Sequence, residues 1–365
     1  MEILQIGFIG FGLIGGSIAK ALRAYRPQCH MIATSRSLSP LYQAQKDGVL
    51  DEVTNCVNEQ FSGCDIIFIC TPVVTITKYF ELLKPLIKSS CILTDVGSVK
   101  TNIHEEVIKL GIEKYFIGGH PMAGSEKSGY ANSKAMILEN AYFVLTPSKE
   151  VSQEKIDKYE QLVSTIHALP IILDYKEHDY ITGTISHLPH IIAATLVNYV
   201  KDSDTKSELM KRLAAGGFKD ITRIASSSPT MWQHICLKNK DNISQILASY
   251  IKYLEEVKSM IDSGDGQAIY DWFDSSRIYR NSLPGASSGP IKKAFEVYCD
   301  IIDEAGGIAA IATILASNGL SIKNIGIVHN REFEEGVLRI EFYDESSSKK
   351  AAELLQKFRY IVYER

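Results

Sequence analysis

Short runs dominated by apolar residues alternate with amphipathic stretches in the first part of the chain. Runs rich in isoleucine and valine are typical of buried strands, and apolar residues at helical spacing predict the helices between them. The predicted strands are Ile3–Ile9, His30–Thr34, Ile66–Cys70, Cys91–Asp95, Tyr142–Leu145 and Pro170–Leu173, and the helices include Val73–Ile87 and Glu154–His167. This alternation predicts an α/β domain over residues 1–173.

The strand pattern stops after Tyr175, and helical periodicity continues to about Leu283. One long apolar stripe lies in this segment, and we interpret it as plain core or as a dimer seam. It consists of Ile243, Ile246, Leu247, Tyr250, Ile251, Leu254, Val257 and Ile261. The pattern predicts an all-α domain over residues 174–285.

A segment rich in proline, glycine and serine, Leu283–Pro290, predicts a domain boundary. Beyond it, a small α+β domain is predicted over residues 291–365. Its order is strand Phe295–Ile302, helix Gly307–Ser317, strands Ser321–Val328 and Gly336–Phe342, helix Ser347–Lys357 and strand Tyr360–Tyr363. This βαββαβ order resembles an ACT domain, a small regulatory module that binds amino acids at paired interfaces. Residues 305–307 and 318–324 match where that module takes its ligand, and the alternative is a dimerisation module without a ligand.

Composition narrows the possible partners and the compartment. A formal net charge of −4 provides no basic surface, so we expect no nucleic acid partner. No apolar run is long enough for a membrane span, and we predict neither a signal peptide nor a membrane interaction. The seven cysteines are odd in number and form no C-x-x-C pair, which is typical of a reducing compartment. We therefore predict a cytoplasmic protein.

A glycine-rich loop, Gly10-Phe-Gly12-Leu-Ile-Gly15, lies between the first strand and the first helical pattern. Strand, G-x-G-x-x-G and helix form the dinucleotide-binding arrangement of a Rossmann-like domain. Gly10 makes the tight turn, Gly12 lets the pyrophosphate approach the backbone, and Gly15 lets helix and strand pack closely. The predicted cofactor-binding residues are Gly10, Gly12, Leu13, Ile14, Gly15, Ser35, Arg36, Thr71 and Pro72.

The end of the second strand bears on the choice of cofactor. It continues Thr34-Ser35-Arg36 and lacks the carboxylate that holds the ribose hydroxyls of NAD. A serine and an arginine there suit the additional phosphate of NADP, which we slightly favour. The alternative is that Arg36 stacks on the adenine or points to solvent, which leaves the choice between NAD and NADP open.

His120 is the main candidate for proton transfer. It follows the apolar run Tyr115–Ile117, which suggests the end of a buried strand, and Pro121 keeps it out of helical geometry. A rigidly held histidine can act as a general base near neutral pH, and the alternative is a turn histidine with satisfied hydrogen bonds. In the loop Val96–Lys100, Ser98 is either a site residue or a helix cap, and the preceding Asp95 is a possible partner for loop amides.

Two polar clusters interrupt the helical segment. Ser186–His190 places His187 and His190 three residues apart, without the further clustered ligands that a zinc site needs, so no metal is predicted. In the second cluster, Gly216–Ala225, Asp220 and Arg223 are i, i+3 neighbours. They either pair with each other on the surface, or Asp220 orients Arg223 to grip a substrate carboxylate.

Five ordered motifs carry a resemblance that covers about residues 1–285: Gly10–Ser17, Asp95–Lys100, His120–Gly129, Ser186–His190 and Gly216–Ala225. In this order and spacing they resemble the prephenate dehydrogenase family. The resemblance implies a Rossmann domain, a helical dimerisation domain and hence a homodimer. It also implies an oxidoreductase that uses NAD or NADP for the oxidative decarboxylation of prephenate to 4-hydroxyphenylpyruvate, in tyrosine biosynthesis.

The resemblance also implies roles for individual residues. His120 binds and deprotonates the ring hydroxyl, and Ser98 hydrogen-bonds the same hydroxyl and His120. Arg223 grips a substrate carboxylate, and His190 assists at the other end of the substrate. The remaining residues predicted to bind substrate are Ser125 and Glu126 at the pocket entrance, together with Gly217 and Asp220.

Two alternatives to this function remain. An arogenate (cyclohexadienyl) dehydrogenase differs in the substrate that it oxidises, and His190 is less common in arogenate-dependent members. A non-catalytic amino-acid sensor would be expected to lack the polar residues of the pocket, which are present here. The resemblance of the last domain to an ACT module suggests feedback by L-tyrosine. Ser35-Arg36 departs from the aspartate usual in NAD-dependent members.

Overall fold

The computed structural model describes residues 4–124, 127–283, 295–301, 306–328 and 336–363. Contacts divide the chain into two compact units, Met1–Phe273 and Asp274–Arg365. The division into three domains at residues 173 and 285 stays a prediction.

The strands, numbered in chain order, are β1 Gln5–Ile9, β2 His30–Thr34, β3 Glu52–Thr54, β4 Ile66–Ile69, β5 Ile92–Asp95, β6 Ile117–Pro121, β7 Tyr142–Pro147, β8 Leu169–Ile172, β9 Phe295–Ile301, β10 Ile322–Val328, β11 Gly336–Phe342 and β12 Val362–Tyr363. The helices are α1 Leu13–Tyr25, α2 Ser39–Lys46, α3 Val73–Ile76, α4 Lys78–Leu83, α5 Thr101–Leu110, α6 Gln153–Thr165, α7 Tyr175–Thr182, α8 Leu188–Ser203, α9 Leu209–Leu213, α10 Gly216–Thr222, α11 Pro229–Lys238, α12 Lys240–Ser263, α13 Gly266–Ser282, α14 Gly307–Ser317 and α15 Glu345–Lys357. Within the described residues, none of these helices is long and apolar enough to cross a membrane.

A parallel sheet of five strands, in the order β3-β2-β1-β4-β5, organises the first unit. The strands β4 and β5 are buried along their whole length, which explains their continuous apolar sequences. The strand order reverses direction at β1, between β2 and β4, and ligands of such sheets bind in the crevice at this switch point. The predicted Rossmann-like fold is confirmed. The pattern did not predict α2 or β3.

A second sheet of three strands carries His120. In it β6 pairs antiparallel with β7, and β7 pairs parallel with β8. An isolated bridge between Leu93 and Phe116 places the start of this segment beside β5. His120 lies within β6 rather than after the strand, because the strand runs through it to Pro121. The end of β6 that carries His120 therefore lies near the carboxyl end of β5, where the Gly119 N–H donates to Asp95 over 3.3 Å.

The predicted helix Val73–Ile87 is in fact two short helices, α3 and α4. Its first five residues are all branched at Cβ, which restricts their side chains in a helix and lowers helix propensity. Pro85 then ends the helical pattern, because proline has no backbone N–H to donate.

Helices α7 to α13 form the predicted all-α segment, which begins in the first unit. A π-helical turn, Gly183–His187, joins α7 directly to α8. On α12, Ile243 and Ile246 are buried, whereas Ile251, Leu254 and Ile261 are exposed on this chain. The beginning of the predicted apolar stripe is therefore core, and its later part presents apolar side chains to the outside.

The second unit contains an antiparallel sheet in the order β10-β11-β9-β12, together with α14 and α15. Alternate residues of β9, namely Val297, Cys299 and Ile301, join a core formed with these helices. The order βαββαβ agrees with the sequence pattern, and strand bounds differ by at most two residues. Ala305 and the other residues at 302–305 lie outside the described residues. The ACT assignment stays a prediction.

Candidate active site

The glycine loop between β1 and α1 packs tightly against the end of β4. Gly10 has φ +85°, and a Cβ added to it would lie 2.8 Å from the carbonyl oxygen of Cys70. A Cβ on Gly15 would lie 3.0 Å from the Cβ of the same cysteine, whereas a Cβ on Gly12 would meet nothing within 4 Å. The loop is thus closed against the sheet and open at Gly12, where a pyrophosphate would approach.

The N-terminus of α1 is suited to an anion. Its cap residue, Gly12, offers no side-chain hydrogen bond, and its first turn has no acidic residue. The N–H groups of that turn and the helix dipole therefore favour a phosphate. The buried Thr71 hydroxyl, beside the loop, has no hydrogen-bond partner within the described residues, as expected of a group that meets a ligand. These features fit a dinucleotide, and Pro72 follows directly at the start of α3.

The end of β2 lies next to this loop, because the Gly10 N–H donates to the Thr34 carbonyl over 2.8 Å. Ser35 and Arg36 follow, the first half-buried and the second exposed. No hydrogen bond or ion pair of Arg36 occurs among the residues that the structure describes. Its guanidinium is therefore available to a ligand at the loop.

His120 is the first member of a buried hydrogen-bonded chain of three side chains. Its Nδ1 lies 2.8 Å from Nε2 of His178, and Nδ1 of His178 lies 2.8 Å from Oδ1 of Asp179. Asp179 is fully buried and also accepts the backbone N–H groups of Lys100 and Thr101, at 2.7 and 2.8 Å. A carboxylate from α7 thus caps the start of α5, where the dipole favours negative charge.

The partners in this chain determine the tautomers. Because ionised Asp179 only accepts, His178 carries its proton on Nδ1 and its Nε2 is an acceptor. His120 must then donate from Nδ1, which leaves its Nε2 with a lone pair. Burial lowers the pKa of both histidines, and for His120 the neighbouring His178 and Lys100 lower it further. Burial raises the pKa of Asp179, but hydrogen bonds from His178 and Thr101 outweigh this and keep it low. His120 is therefore a neutral base.

Asp95 holds the loop that carries Ser98 and the strand β6 that carries His120. One of its oxygens accepts the N–H of Gly97 at 2.7 Å and the Lys100 ammonium, and the other accepts the N–H of Gly119 at 3.3 Å. Asp95 and Lys100 form a fully buried ion pair. The possibility that Asp95 bonds loop amides is confirmed. The alternative role of Ser98 as a helix cap is wrong, since α5 begins at Thr101 and Asp179 provides its capping interaction.

His190 and Arg223 are brought together at the other end of the site. The His190 ring, in the first turn of α8, packs against Trp232 with centroids 3.9 Å apart. It also hydrogen-bonds to the backbone of Ile224, next to Arg223. Burial lowers the pKa of His190, and the charge of Arg223 lowers it further. Arg223 itself is exposed on this chain.

The remaining predicted substrate residues are less defined by the structure. Gly217 and Asp220 lie exposed on α10, which packs against α8 and the turn that starts at Arg223. Whether Asp220 orients Arg223 stays a prediction. Ser125 and Glu126 lie outside the described residues.

His187 lies between the two ends. It is 1% exposed, and its Nδ1 is 3.1 Å from Nδ2 of Asn239. That Nδ2 also donates to the carbonyl of Asp179 over 2.8 Å, which connects His187 to the chain that holds His120. Burial lowers the pKa of His187 to about 4, so the ring is neutral at neutral pH.

Sequence reasoning missed the contributions of His178, Asp179, Lys100 and Trp232. The buried residues of α7 are His178, Asp179 and Thr182. Two titratable residues on the buried face of a helix are unusual, and this was the available signal of a polar network. Their partners lie far away in the chain, so the signal alone did not identify the network.

A dinucleotide loop and a neutral imidazole base at the same carboxyl edge of a parallel sheet define a dinucleotide-dependent oxidoreductase. Two family models match the chain: prephenate dehydrogenase, nucleotide-binding domain, over residues 18–171, and prephenate dehydrogenase, dimerization domain, over residues 174–275. The chain belongs to the prephenate dehydrogenase family, as the sequence motifs indicated.

Individual relatives agree with this assignment. A prephenate dehydrogenase of Bacillus subtilis is 37% identical over 95% of this chain and 94% of its own length, and one of Lactococcus lactis is 37% identical over 97% and 98%. Among solved structures, prephenate dehydrogenase of A. aeolicus in complex with hydroxyphenyl propionate and NAD+ has a TM-score of 0.73 at 29% identity, covering 78% of this chain and 99% of that one. A Synechocystis arogenate dehydrogenase has a TM-score of 0.69 at 28% identity, covering 76% and 99%.

Proposed function

We propose that the protein is a prephenate dehydrogenase that converts prephenate to 4-hydroxyphenylpyruvate and carbon dioxide in aromatic amino acid biosynthesis. The observation that carries this proposal is the neutral His120, whose Nε2 lone pair is set by His178 and Asp179. A base in this form can accept the proton of a ring hydroxyl.

The proposed chemistry follows from these groups. A nicotinamide dinucleotide bound at the loop of Gly10, Gly12 and Gly15 supplies the hydride acceptor. His120 takes the hydroxyl proton onto Nε2 as the ring carbon becomes a ketone. The ketone withdraws electrons from the ring, and the bond to the ring carboxylate breaks, so that carbon dioxide leaves and the ring becomes aromatic. Ser98 hydrogen-bonds the same hydroxyl.

The other end of the substrate is assigned to Arg223 and His190. A guanidinium binds a carboxylate through two parallel hydrogen bonds, which suits Arg223 for a substrate carboxylate. His190 lies next to it through its bond to the Ile224 backbone and assists there. Gly217, Asp220, Ser125 and Glu126 complete the proposed substrate residues.

For the cofactor, we propose that NADP is accepted and slightly preferred to NAD. The exposed Arg36 and the half-buried Ser35 at the end of β2 support this, because they suit a ribose phosphate. The A. aeolicus relative was solved with NAD+. The ratio of kcat/KM for the two cofactors, compared between wild type and Arg36→Ala, tests the role of Arg36.

A homodimer is supported by the match to the dimerization domain and by the exposed apolar side chains of α12.

Feedback by L-tyrosine at the second unit is a further proposal, supported by its βαββαβ order. A rate that saturating tyrosine leaves unchanged would contradict it. The cytoplasmic location stays a prediction.

The deciding experiment is the initial rate of nicotinamide reduction by the purified protein with prephenate, using NAD and NADP in parallel. We expect turnover with prephenate. Turnover with arogenate alone would instead favour the second candidate, arogenate dehydrogenase, for which the Synechocystis relative is the precedent. A folded protein that turns over neither substrate would favour a non-catalytic sensor.

A further inference from the structure

The segment between β6 and β7 packs against the helix that follows the dinucleotide loop. Residues 130–138, which we call the brace, contain two short 3₁₀ turns, Tyr130–Asn132 and Ala135–Ile137. Both turns contact α1. Tyr130 is only 4% exposed and Leu138 is fully buried, so this connecting segment is part of the core. The proposed chemistry does not use the brace.

Hydrogen bonds attach the brace to one face of α1. The Lys20 ammonium donates to the Ser133 carbonyl over 2.9 Å. The backbone N–H of Lys134 donates to the buried Ser17 hydroxyl over 3.1 Å. The approach is so close that a Cβ added to Gly16 would lie 2.8 Å from Oγ of Ser133. Gly16 is not one of the three glycines of the loop motif, and the approach of the brace explains why a glycine stands there.

Tyr130 joins the brace to the phosphate-binding turn itself. Its ring stacks on Phe11, the residue between Gly10 and Gly12, with centroids 5.4 Å apart and an interplanar angle of 28°. Phe11 also meets Phe8 of β1 edge to face, with centroids 5.7 Å apart. The side chain of Phe11 therefore contacts both the sheet and the brace, while its backbone forms the turn that a pyrophosphate would approach.

The Tyr130 ring is fixed by polar contacts on two helices. Its hydroxyl donates to Oδ2 of Asp47, at the end of α2, over 2.8 Å. The Lys20 ammonium on α1 lies 4.3 Å from the ring centroid, within the range of a cation–π contact. The Tyr130 carbonyl accepts the Ser133 hydroxyl over 2.6 Å. These contacts restrict the ring to the orientation in which it supports Phe11.

We propose that Tyr130 is a positioning residue for the dinucleotide: its ring holds Phe11, and with it the turn between Gly10 and Gly12, in the conformation that binds the pyrophosphate. The N–H groups at the start of α1 favour a phosphate when they point at it together, and a turn that must be ordered on binding lowers affinity. Tyr130 acts through Phe11 in this assignment. The inference rests on the cofactor part of the proposed function and is independent of the substrate.

The test is the binding of NADP to the full chain, measured by titration calorimetry without substrate. Tyr130→Leu removes the ring, and Tyr130→Phe removes only the bond to Asp47. The second ligand is 2′-phospho-ADP-ribose, which retains the pyrophosphate and lacks the nicotinamide. If wild type binds NAD rather than NADP, NAD and ADP-ribose replace the two ligands.

The matched control is Tyr25→Leu. Tyr25 is the last residue of α1, at the opposite end from the phosphate-binding turn, and its hydroxyl also donates to a carboxylate, that of Glu139, over 3.1 Å. We expect this variant to bind both ligands like wild type. Equal weakening in Tyr25→Leu and Tyr130→Leu would mean that any loosening of α1 has this effect, and would overturn the proposal.

Tyr130→Leu should raise the Kd of both ligands by about tenfold, because the aromatic contact with Phe11 is lost. Tyr130→Phe keeps that contact and should raise them by about threefold or less. Thermal unfolding reports stability separately. A lower Tm in Tyr130→Leu with both Kd values at the wild-type level would show a merely structural role. Weakening of NADP alone would place the effect at the nicotinamide, and either result would overturn the proposal.

Phe11→Leu removes the same contact from the other side and should weaken binding to a similar extent. Because both substitutions remove one contact, the double variant should bind no more weakly than the weaker single variant. Additive losses would contradict the coupling. Should Tyr130→Leu fail to fold, Phe11→Leu tests the same expectation. None of these measurements uses prephenate, so a failure of the proposed reaction is distinguishable from a failure of this assignment.

Discussion

The two ends of the candidate site are built differently. At the His120 end, Asp95, Lys100, His178 and Asp179 are fully buried and join three distant segments through charged hydrogen bonds. At the other end, Arg223 is exposed and follows the short helix α10. The difference indicates that His120, the proposed base, is held rigidly before substrate arrives, while Arg223, the proposed carboxylate-binding group, lies at the exposed surface of this chain. Substitutions at the first end should lower kcat, and substitutions at the second should raise KM.

The largest effect is expected for His120→Ala. The variant lacks the base, so kcat should fall by about 10²- to 10⁴-fold, whereas KM for prephenate should change little. Steady-state kinetics with prephenate measure both constants, and circular dichroism verifies the fold. Wild-type kcat in a folded variant would remove His120 from the mechanism.

Asp179→Asn should lower kcat by about 10²-fold. The variant keeps His120 but disturbs the tautomers of His178 and His120. The new amide N–H₂ must face either His178 or the start of α5, where only donors are present. The measurements are kcat and its dependence on pH. Disturbed tautomers should shift the pH profile of kcat, whereas a purely structural defect would lower kcat without shifting that profile.

The matched control for this variant is Asp174→Asn. Asp174 caps the same helix, α7, but its carboxylate accepts the N–H groups of Lys176 and Glu177 and makes no bond to the His178 ring, and asparagine caps helices equally well. Equal losses in both variants would mean that Asp179 acts only through helix stability.

Arg223→Ala should raise KM for prephenate by about 10- to 100-fold with little change in kcat, because a hydrogen bond to a charged group is worth about 1.5–3 kcal/mol. Arg212→Ala, at an exposed position on α9, is the control. An unchanged KM in Arg223→Ala would place the carboxylate elsewhere.

The last effect concerns the dependence of stability on pH rather than the activity. Burial lowers the pKa of His104 to about 3 and that of His187 to about 4, and it lowers those of His120 and His178. The unfolded chain therefore binds more protons below pH 6.5, the ordinary histidine value. Stability should fall as the pH decreases from 6.5 to about 4, by roughly 1 kcal/mol per pH unit for each of His104 and His187.

Thermal unfolding across this pH range measures the effect. In His104→Asn the slope should be shallower, because one buried imidazole no longer resists protonation. An unfolding midpoint that is constant between pH 6.5 and 4 would contradict the low pKa values.

The sequence could predict features that depend on neighbouring residues, but not features that depend on contacts between distant parts of the chain. Gly10, Gly12 and Gly15 act through backbone geometry next to a strand and a helix, so their spacing alone indicated the loop and the fold. His120 was found from Pro121 and its position after an apolar run. His178 and Asp179 act on residues about 58 and 79 positions away, at His120 and Lys100, and no local pattern encodes such pairs.

The same limit applies to secondary structure. Helix α2 and the three-residue strand β3 were missed, since so short a strand offers almost no periodicity. The tautomer of His187 could be recognised only after Asn239 had been placed, because a tautomer depends on its neighbours.

The π-helical turn Gly183–His187 sets the rotation of α8 relative to α7. A π turn holds one residue more than the α-helical turn that it replaces, so it is equivalent to a single-residue insertion. Deleting one residue between Gly183 and His187 would rotate everything after it by about 100° and shift it by about 1.5 Å relative to α7. His178 and Asp179 on α7 would stay in place. His190 on α8 would turn away from its present direction relative to them. The register of one helical turn thus sets whether the two ends of the site can serve the same substrate.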